Sequence, residues 1–236
     1  MSSPILVTGA TQRIGLAIAE NLLNKNQSVI ITYRSKKPSI NELSKNGAAV
    51  IHADFSTSEG ISNFVATLKT QTSSLRAIIH NASDWAQETD NEDVNALFIR
   101  MMQIHANAPY QINLACKSML LKNETRFSDI IHMTDFVQEK GSNKHIAYAA
   151  SKAALHNLTL SFAKLYAPKV KVNSIAPALV MFNDWDDDAY RLKSKKKMLL
   201  ENVPGAQEAV KAVEYLLASD YVNGQVLHLN GGRHLK

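Results

Sequence analysis

The sequence predicts an α/β protein, a doubly wound, mostly parallel seven-stranded sheet with helices on both faces. Three observations predict it. Short apolar runs alternate with stretches in which apolar residues recur at helical spacing, the rhythm of βαβ units. The first run enters a glycine turn, Gly9-Ala10-Thr11-Gln12-Arg13-Ile14-Gly15, which opens onto a helical stretch. Strand, glycine turn and helix are the context of a Rossmann-type dinucleotide fingerprint. Polar residues also stand where later apolar runs end, at Asn81 and Thr134-Asp135, and open parallel sheets gather ligands at those ends.

Length and composition suit this class. A chain of 236 residues fits one domain, 1–236, with room for a large core. No apolar run reaches the roughly 18 residues of a membrane span, and no basic-apolar-small leader is present, so no membrane partner is expected. A single cysteine, Cys116, excludes an internal disulfide framework and fits a reducing cytoplasm. The histidines and the cysteine lack metal-ligand spacing, so no metal is expected. The net charge of +5 does not point to nucleic acid, because arginines and lysines are not interleaved with stacking aromatics. The densest basic run, 191–197, reads as a solvated helix face, and a polyanionic cofactor would use part of the remaining charge.

In order, residues 4–8 are the first strand and 16–23 a helical stretch. Gly9 permits the tight turn, and Gly15 permits close packing while the helix amides face a pyrophosphate. Arg13 stands where a middle glycine often stands. Residues 28–33 are the second strand, and at its end an NAD site needs an acid for the ribose hydroxyls. The chain instead reads Tyr33-Arg34-Ser35-Lys36-Lys37, with no acid until Glu42. A guanidinium binds a 2′-phosphate bidentately and a carboxylate repels it, so NADPH is favoured over the plainer reading of a basic loop in water.

Residues 48–53 are the third strand, ending in Asp54-Phe55. Asp54 has two readings: it takes an adenine amino group, or it caps the helical stretch 59–72. Residues 75–80 are the fourth strand and lead into Asn81-Ala82-Ser83-Asp84-Trp85. Small residues there let backbone approach a ligand, and Trp85 is either core or a stacking partner for a planar ring. Residues 90–121 carry one long helical pattern. Asn107 on it is either a satisfied buried amide or the holder of a relay water beside Lys152. Cys116 reads as a small buried hydrophobe.

Residues 128–133 are the fifth strand, and the next helix carries Tyr148-Ala149-Ala150-Ser151-Lys152. Tyrosine and lysine four residues apart share a helix face. There the ammonium would stabilise the phenolate and bring the tyrosine down from its ordinary pKa of about 10, making it a general acid. Residues 170–176 are the sixth strand, stopped by Pro177. From 178 to 205 the pattern fades, and exposed apolar residues after a strand read as a substrate lid. Asp186-Asp187-Asp188 reads as solvated rather than as a cation site. A helix at 206–219 and a strand at 225–229 precede Asn230-Gly231-Gly232.

Together the T-G-x-x-x-x-x-G turn, His80-Asn81-Ala82-Ser83, helical Asn107, Tyr148-x-x-x-Lys152, Pro177 and Asn230-Gly231-Gly232 resemble a short-chain dehydrogenase/reductase along essentially the whole chain. Three departures are similar to the pteridine reductase branch: Arg13 for the middle glycine, Ser83 for the glycine of N-A-G, and Asp135 where the family usually has serine. The resemblance implies NADPH held by Gly9, Thr11, Arg13, Ile14, Gly15, Tyr33, Arg34, Ser35, Asp54, Phe55, Asn81, Ala82, Ser83, Tyr148, Lys152 and Pro177. It implies a catalytic group of Tyr148, Lys152, Asp135 and Asn107. It also implies a pterin touched by Arg13, Ser83, Trp85, Asp135, Tyr148 and Leu179, lying between the nicotinamide and Trp85.

The implied reaction is NADPH-dependent reduction of the C6=N5 bond of a 7,8-dihydropterin. Dihydromonapterin is the expected best substrate, and dihydrofolate a slower one. The proton for N5 has three candidate sources: Tyr148 assisted by Lys152, Asp135, or a water held by them. A cytoplasmic homotetramer built on the long helices is implied as well. Two rivals share the features read so far. Only Asp135 and Arg13 argue against a carbonyl reductase, and the Tyr148/Lys152 pair argues against a non-catalytic NADP(H) sensor.

Overall fold

Alternation along each strand decides which side chains enter which half of the core. The computed structural model describes residues 2–89 and 93–236. Its strands are β1 (Ile5–Val7), β2 (Val29–Tyr33), β3 (Ala49–His52), β4 (Ala77–His80), β5 (Ser128–Met133), β6 (Val170–Pro177) and β7 (Val226–Leu229). They form one sheet in the order β3-β2-β1-β4-β5-β6-β7, and every neighbouring pair is parallel. Leu6, Ile30, Ile78, Ile130 and Val172 stand in register and share one face. They pack with Phe64, Ile112 and Phe162. Val7, Ile31, Ile79, Ile131 and Ile175 take the opposite face and pack with Ile18, Leu22, Val210 and Val213. Burial on both faces explains why the strands read as continuous apolar runs.

The helices that cover the sheet are α1 (Arg13–Asn24), α2 (Ser39–Lys45), α3 (Ser58–Gln71), α4 (Val94–Met102), α5 (Ala108–Leu121), α6 (Val137–Lys140), α7 (Ile146–Tyr166), α8 (Asp188–Lys195) and α9 (Gln207–Ala218). α1 and α9 cover one face, and α3, α5 and α7 the other. β1 lies between β2 and β4, so the strand order reverses there and opens a crevice at the strands' carboxyl ends. Among the described residues, no helix is long and apolar enough to cross a membrane.

One sequence expectation is corrected. The long helical pattern of 90–121 is not one helix. Asp90 lies outside the described residues, α4 starts at Val94, and a wide π turn, Gln103–Asn107, separates α4 from α5. Pro109 is the physical cause: it has no N–H to give to the carbonyl of His105, and its ring would press on that carbonyl in a regular helix. The aspartate run is exposed at Asp187 and Asp188, as expected, and it also makes local bonds. Asp187 accepts from the Tyr190 amide at 2.7 Å and caps α8, and Asp186 accepts from the Asn183 amide at 2.8 Å.

Candidate active site

The glycine turn and the tip of β4 are built against each other. Thr8 Oγ1 accepts from the Asn81 and Ala82 amides, both at 3.0 Å. Asn81 Nδ2 donates to the carbonyls of Thr8 at 3.1 Å and Gly9 at 2.9 Å. Gly9 has φ 63°, and a Cβ there would stand 2.8 Å from Ala82 Cα. A Cβ on Gly15 would overlap the Asn81 amide and the Gly9 carbonyl. Both glycines therefore leave a cradle at the amino end of α1, the shape and polarity a pyrophosphate needs. Asn81 braces that cradle with its side-chain hydrogens.

Arg13 occupies the left-handed region at φ 53°, where a glycine would sit without strain. Its guanidinium crosses the cleft and donates to the carbonyls of Met181 at 3.3 Å and Phe182 at 3.5 Å, and to Asn183 Oδ1. The segment 178–185 is thereby tied to the first turn of α1.

At the other end, Tyr33, Arg34, Ser35 and Lys37 line the cleft beyond β2. Arg34 Nη1 lies 3.6 Å from Asp84 Oδ2, and Lys37 donates to Gln12 Oε1. Asp54 does not cap α3. Thr57 does, accepting from the Gly60 amide at 3.0 Å, while Asp54 Oδ1 accepts from Ser56 at 2.9 Å.

The chemical end lies over β5 and α7. Tyr148 donates its hydroxyl hydrogen to Asp135 Oδ2 at 2.9 Å, and Asp135 Oδ1 accepts from the Val137 amide at 2.9 Å. Lys152 donates to the Met133 carbonyl at 2.9 Å, with Nζ 5.5 Å from the Tyr148 ring centroid. Burial, then the Asp135 charge and hydrogen bond, hold the Tyr148 phenol well above its ordinary pKa of 10.0. This overturns the expectation that Lys152 lowers it. Burial raises the Asp135 carboxyl despite the opposing Val137 bond and Lys152 charge. It pulls Lys152 down to about 8, with Asp135 opposing.

One cleft of about 680 Å³ gathers nearly all the expected residues: Gly9, Thr11, Arg13, Ile14, Gly15, Tyr33, Arg34, Ser35, Asp54, Phe55, Asn81, Ala82, Ser83, Trp85, Asp135, Tyr148, Lys152, Pro177 and Leu179. Trp85 is not core: it is 58% exposed, its ring 4.5 Å from that of His145. The basic loop, the glycine cradle and the Asp135–Tyr148 pair all line this one cleft. A dinucleotide fits that set of surfaces.

The whole chain has relatives with the same plan. A family model described as enoyl-(acyl carrier protein) reductase, of the short-chain dehydrogenase type, matches residues 9–234. The chain belongs to the short-chain dehydrogenase/reductase family. Within it, the chain is 50% identical over 233 residues to a dihydromonapterin reductase of Klebsiella pneumoniae, covering 99% of this chain and 97% of that one. It is 50% identical over 235 residues to a dihydromonapterin reductase of Escherichia coli O6:H1, covering 100% and 98%. The crystal structure of FolM alternative dihydrofolate reductase 1 from Brucella canis, complexed with NADP, superposes with a TM-score of 0.87 at 26% identity, covering 99% of this chain and 94% of that one. The resemblance read from Arg13, Ser83 and Asp135 is borne out at the level of these names.

Not every expected residue of this short-chain dehydrogenase/reductase joins its cleft. Asn107 donates to Gln103 Oε1 at 2.8 Å and faces a separate apolar groove with Phe98, Ile99 and Tyr110. Asp84 and His105 were not expected, and both touch the site: Asp84 pairs with Arg34, and His105 lies 2.8 Å from Ser83. The sequence signal for His105 is a polar residue in an apolar segment whose helical face cannot be read past Pro109.

Proposed function

We propose that this chain reduces the C6=N5 bond of a 7,8-dihydropterin with NADPH, with dihydromonapterin the best substrate and dihydrofolate slower. The observation that carries the reading is the Asp135 carboxylate facing the cleft with Tyr148 bonded to it at 2.9 Å. A carboxylate accepts hydrogen bonds from the N–H groups of a heterocycle, whereas a carbonyl substrate calls for a donor. The dihydromonapterin reductase relatives support the same class.

Gly9, Gly15 and the amino end of α1 would hold the pyrophosphate, and Arg34 with Ser35 the 2′-phosphate. When bound, the dihydronicotinamide supplies the hydride. Trp85 offers a ring to stack on the pterin, and Asp135 docks its nitrogens. The proton for N5 comes from the bonded Asp135–Tyr148 pair, carried by Asp135, by Tyr148 assisted by Lys152, or by a water they hold. Tyr148 orients the carboxyl group through its 2.9 Å hydrogen bond. Lys152 supplies positive charge beside the pair.

Residues 178–205 act in this reading as the substrate lid, joined to Arg13. Exposed Phe98, Ile99, Tyr110 and Leu114 on α4 and α5, with Leu165 on α7, support a homotetramer built on the long helices. The test is NADPH oxidation with dihydromonapterin, dihydrobiopterin, dihydrofolate and a ketone panel. Turnover confined to dihydropterins, dihydromonapterin first, is expected. Turnover of ketones with none of any dihydropterin would overturn the proposal.

A further inference from the structure

The π turn before α5 presents one buried side chain that touches both walls of the site. His105 is 1% exposed. Its Nε2 lies 2.8 Å from Ser83 Oγ and 3.2 Å from the Asp84 amide nitrogen. Its Nδ1 lies 2.8 Å from Ser151 Oγ, and the Ser151 hydroxyl donates to the Tyr148 carbonyl at 2.7 Å. The imidazole also meets the Tyr148 ring edge-on, centroids 5.4 Å apart.

These contacts decide where the imidazole hydrogen sits. A backbone N–H can only donate, so Nε2 is the unprotonated nitrogen. The Ser151 hydrogen is committed to the Tyr148 carbonyl, so Ser151 Oγ receives and Nδ1 carries the hydrogen. The Ser83 hydroxyl has two acceptors in reach, Nε2 at 2.8 Å and the Asp84 carbonyl at 3.3 Å; its hydrogen goes to the nearer Nε2, and either choice turns it away from the cleft. Only lone pairs of Ser83 Oγ are left for the cleft that Ser83 lines. Burial, with the Lys152 charge acting in the same direction, keeps the imidazole neutral.

We propose that His105 is a positioning residue for substrate specificity: as a neutral Nδ1–H imidazole it locks Ser83 as a hydrogen-bond acceptor and ties the Ser83–Trp85 wall to the helix of Tyr148. An acceptor at Ser83 suits an amine or lactam N–H edge and disfavours a bare carbonyl oxygen. The specificity part rests on the dihydropterin reading; the tautomer does not.

The test has two arms on the full chain. Nitrogen-15 NMR of the imidazoles should show His105 with a protonated Nδ1 and a bare Nε2; an Nε2–H tautomer or an imidazolium near neutral pH overturns the proposal. In kinetics, His105→Gln can place an acceptor oxygen near the Nε2 position, whereas His105→Leu places none. His105→Leu should raise the dihydropterin KM roughly tenfold or more, the effect of one buried hydrogen bond lost, with His105→Gln and the NADPH Kd of both variants within about threefold of wild type. Equal KM values for the two variants, or NADPH affinity falling in parallel, overturn it. If His105→Leu does not fold, the Gln variant and the tautomer still decide. If the unaltered enzyme reduces no dihydropterin, the reading of function fails while the tautomer result stands by itself.

Discussion

At Tyr148 burial raises the phenol pKa first, and the Asp135 carboxylate in direct contact with the hydroxyl at 2.9 Å adds to it, so the phenol is held as a donor. Lys152 makes its bond to the Met133 carbonyl instead. Removing either partner therefore breaks one unit. Tyr148→Phe and Asp135→Ala, made separately, should each lower kcat/KM on dihydropterins by about a hundredfold; steady-state kinetics check this, and wild-type values for both would show the site to be wrongly assigned. The Tyr148–Lys152 spacing was legible because four residues make one helical turn. The carboxylate that reverses its consequence lies thirteen residues earlier, on a strand end, and no local pattern reports that it reaches the hydroxyl.

At the scale of elements, Arg13 joins α1 to the segment 181–183. It does so from a left-handed backbone, φ 53°, at a cost of about 1 kcal/mol relative to glycine. Arg13→Gly removes both the strain and the link. Thermal melts should show Tm held or raised, while kcat/KM on dihydropterins falls; a lower Tm with unchanged kinetics would contradict this role. The π turn breaks the regular helical period that the sequence predicts across 90–121. One extra residue in a turn rotates the following face by about 100°. A regular period carried through Pro109 thus turns Asn107 toward the sheet, when the residue buried there is His105. The strands are legible without any face being assigned, because burial on both sides makes each one a continuous apolar run.

Across the whole molecule, buried polar groups brace the sheet at both ends. At the amino-terminal edge, Asp129 contacts Arg76 and lies 2.9 Å from Lys171 Nζ. The two cations also donate to the carbonyls of Leu217 at 3.0 Å and Leu216 at 2.8 Å, in the last turn of α9. Toward the site, His80 Nε2 lies 2.8 Å from Asn113 Oδ1, Asn113 Nδ2 is 3.2 Å from His132 Nε2, and His132 Nδ1 is 2.8 Å from Thr159 Oγ1. None of this was visible in the sequence, where the two histidines merely end apolar runs. Burial pulls His80 down to about 4 from 6.5, with Asn113 opposing, and pulls His132 well below 6.5.

The unfolded chain binds these protons near pH 6.5 and the folded chain does not. The stabilisation is therefore complete above that pH and, for His80, is lost as pH falls toward about 4, by about 1.4 kcal/mol per pH unit; His132 acts in the same direction. Asp129 and Asp135, raised by burial, push the other way as they protonate. Melts between pH about 7.5 and about 5 should show Tm falling, and His80→Gln should make the fall shallower by about one proton's worth. An unchanged slope would show that His80 is not neutral in the fold.

The most direct measurement is a crystal structure with NADP⁺ and a pterin bound together. The bicyclic ring should lie between the nicotinamide and the Trp85 indole, with Asp135 within hydrogen-bonding distance of ring nitrogens. A pterin bound elsewhere, with Trp85 and Asp135 both remote from the nicotinamide, would contradict it.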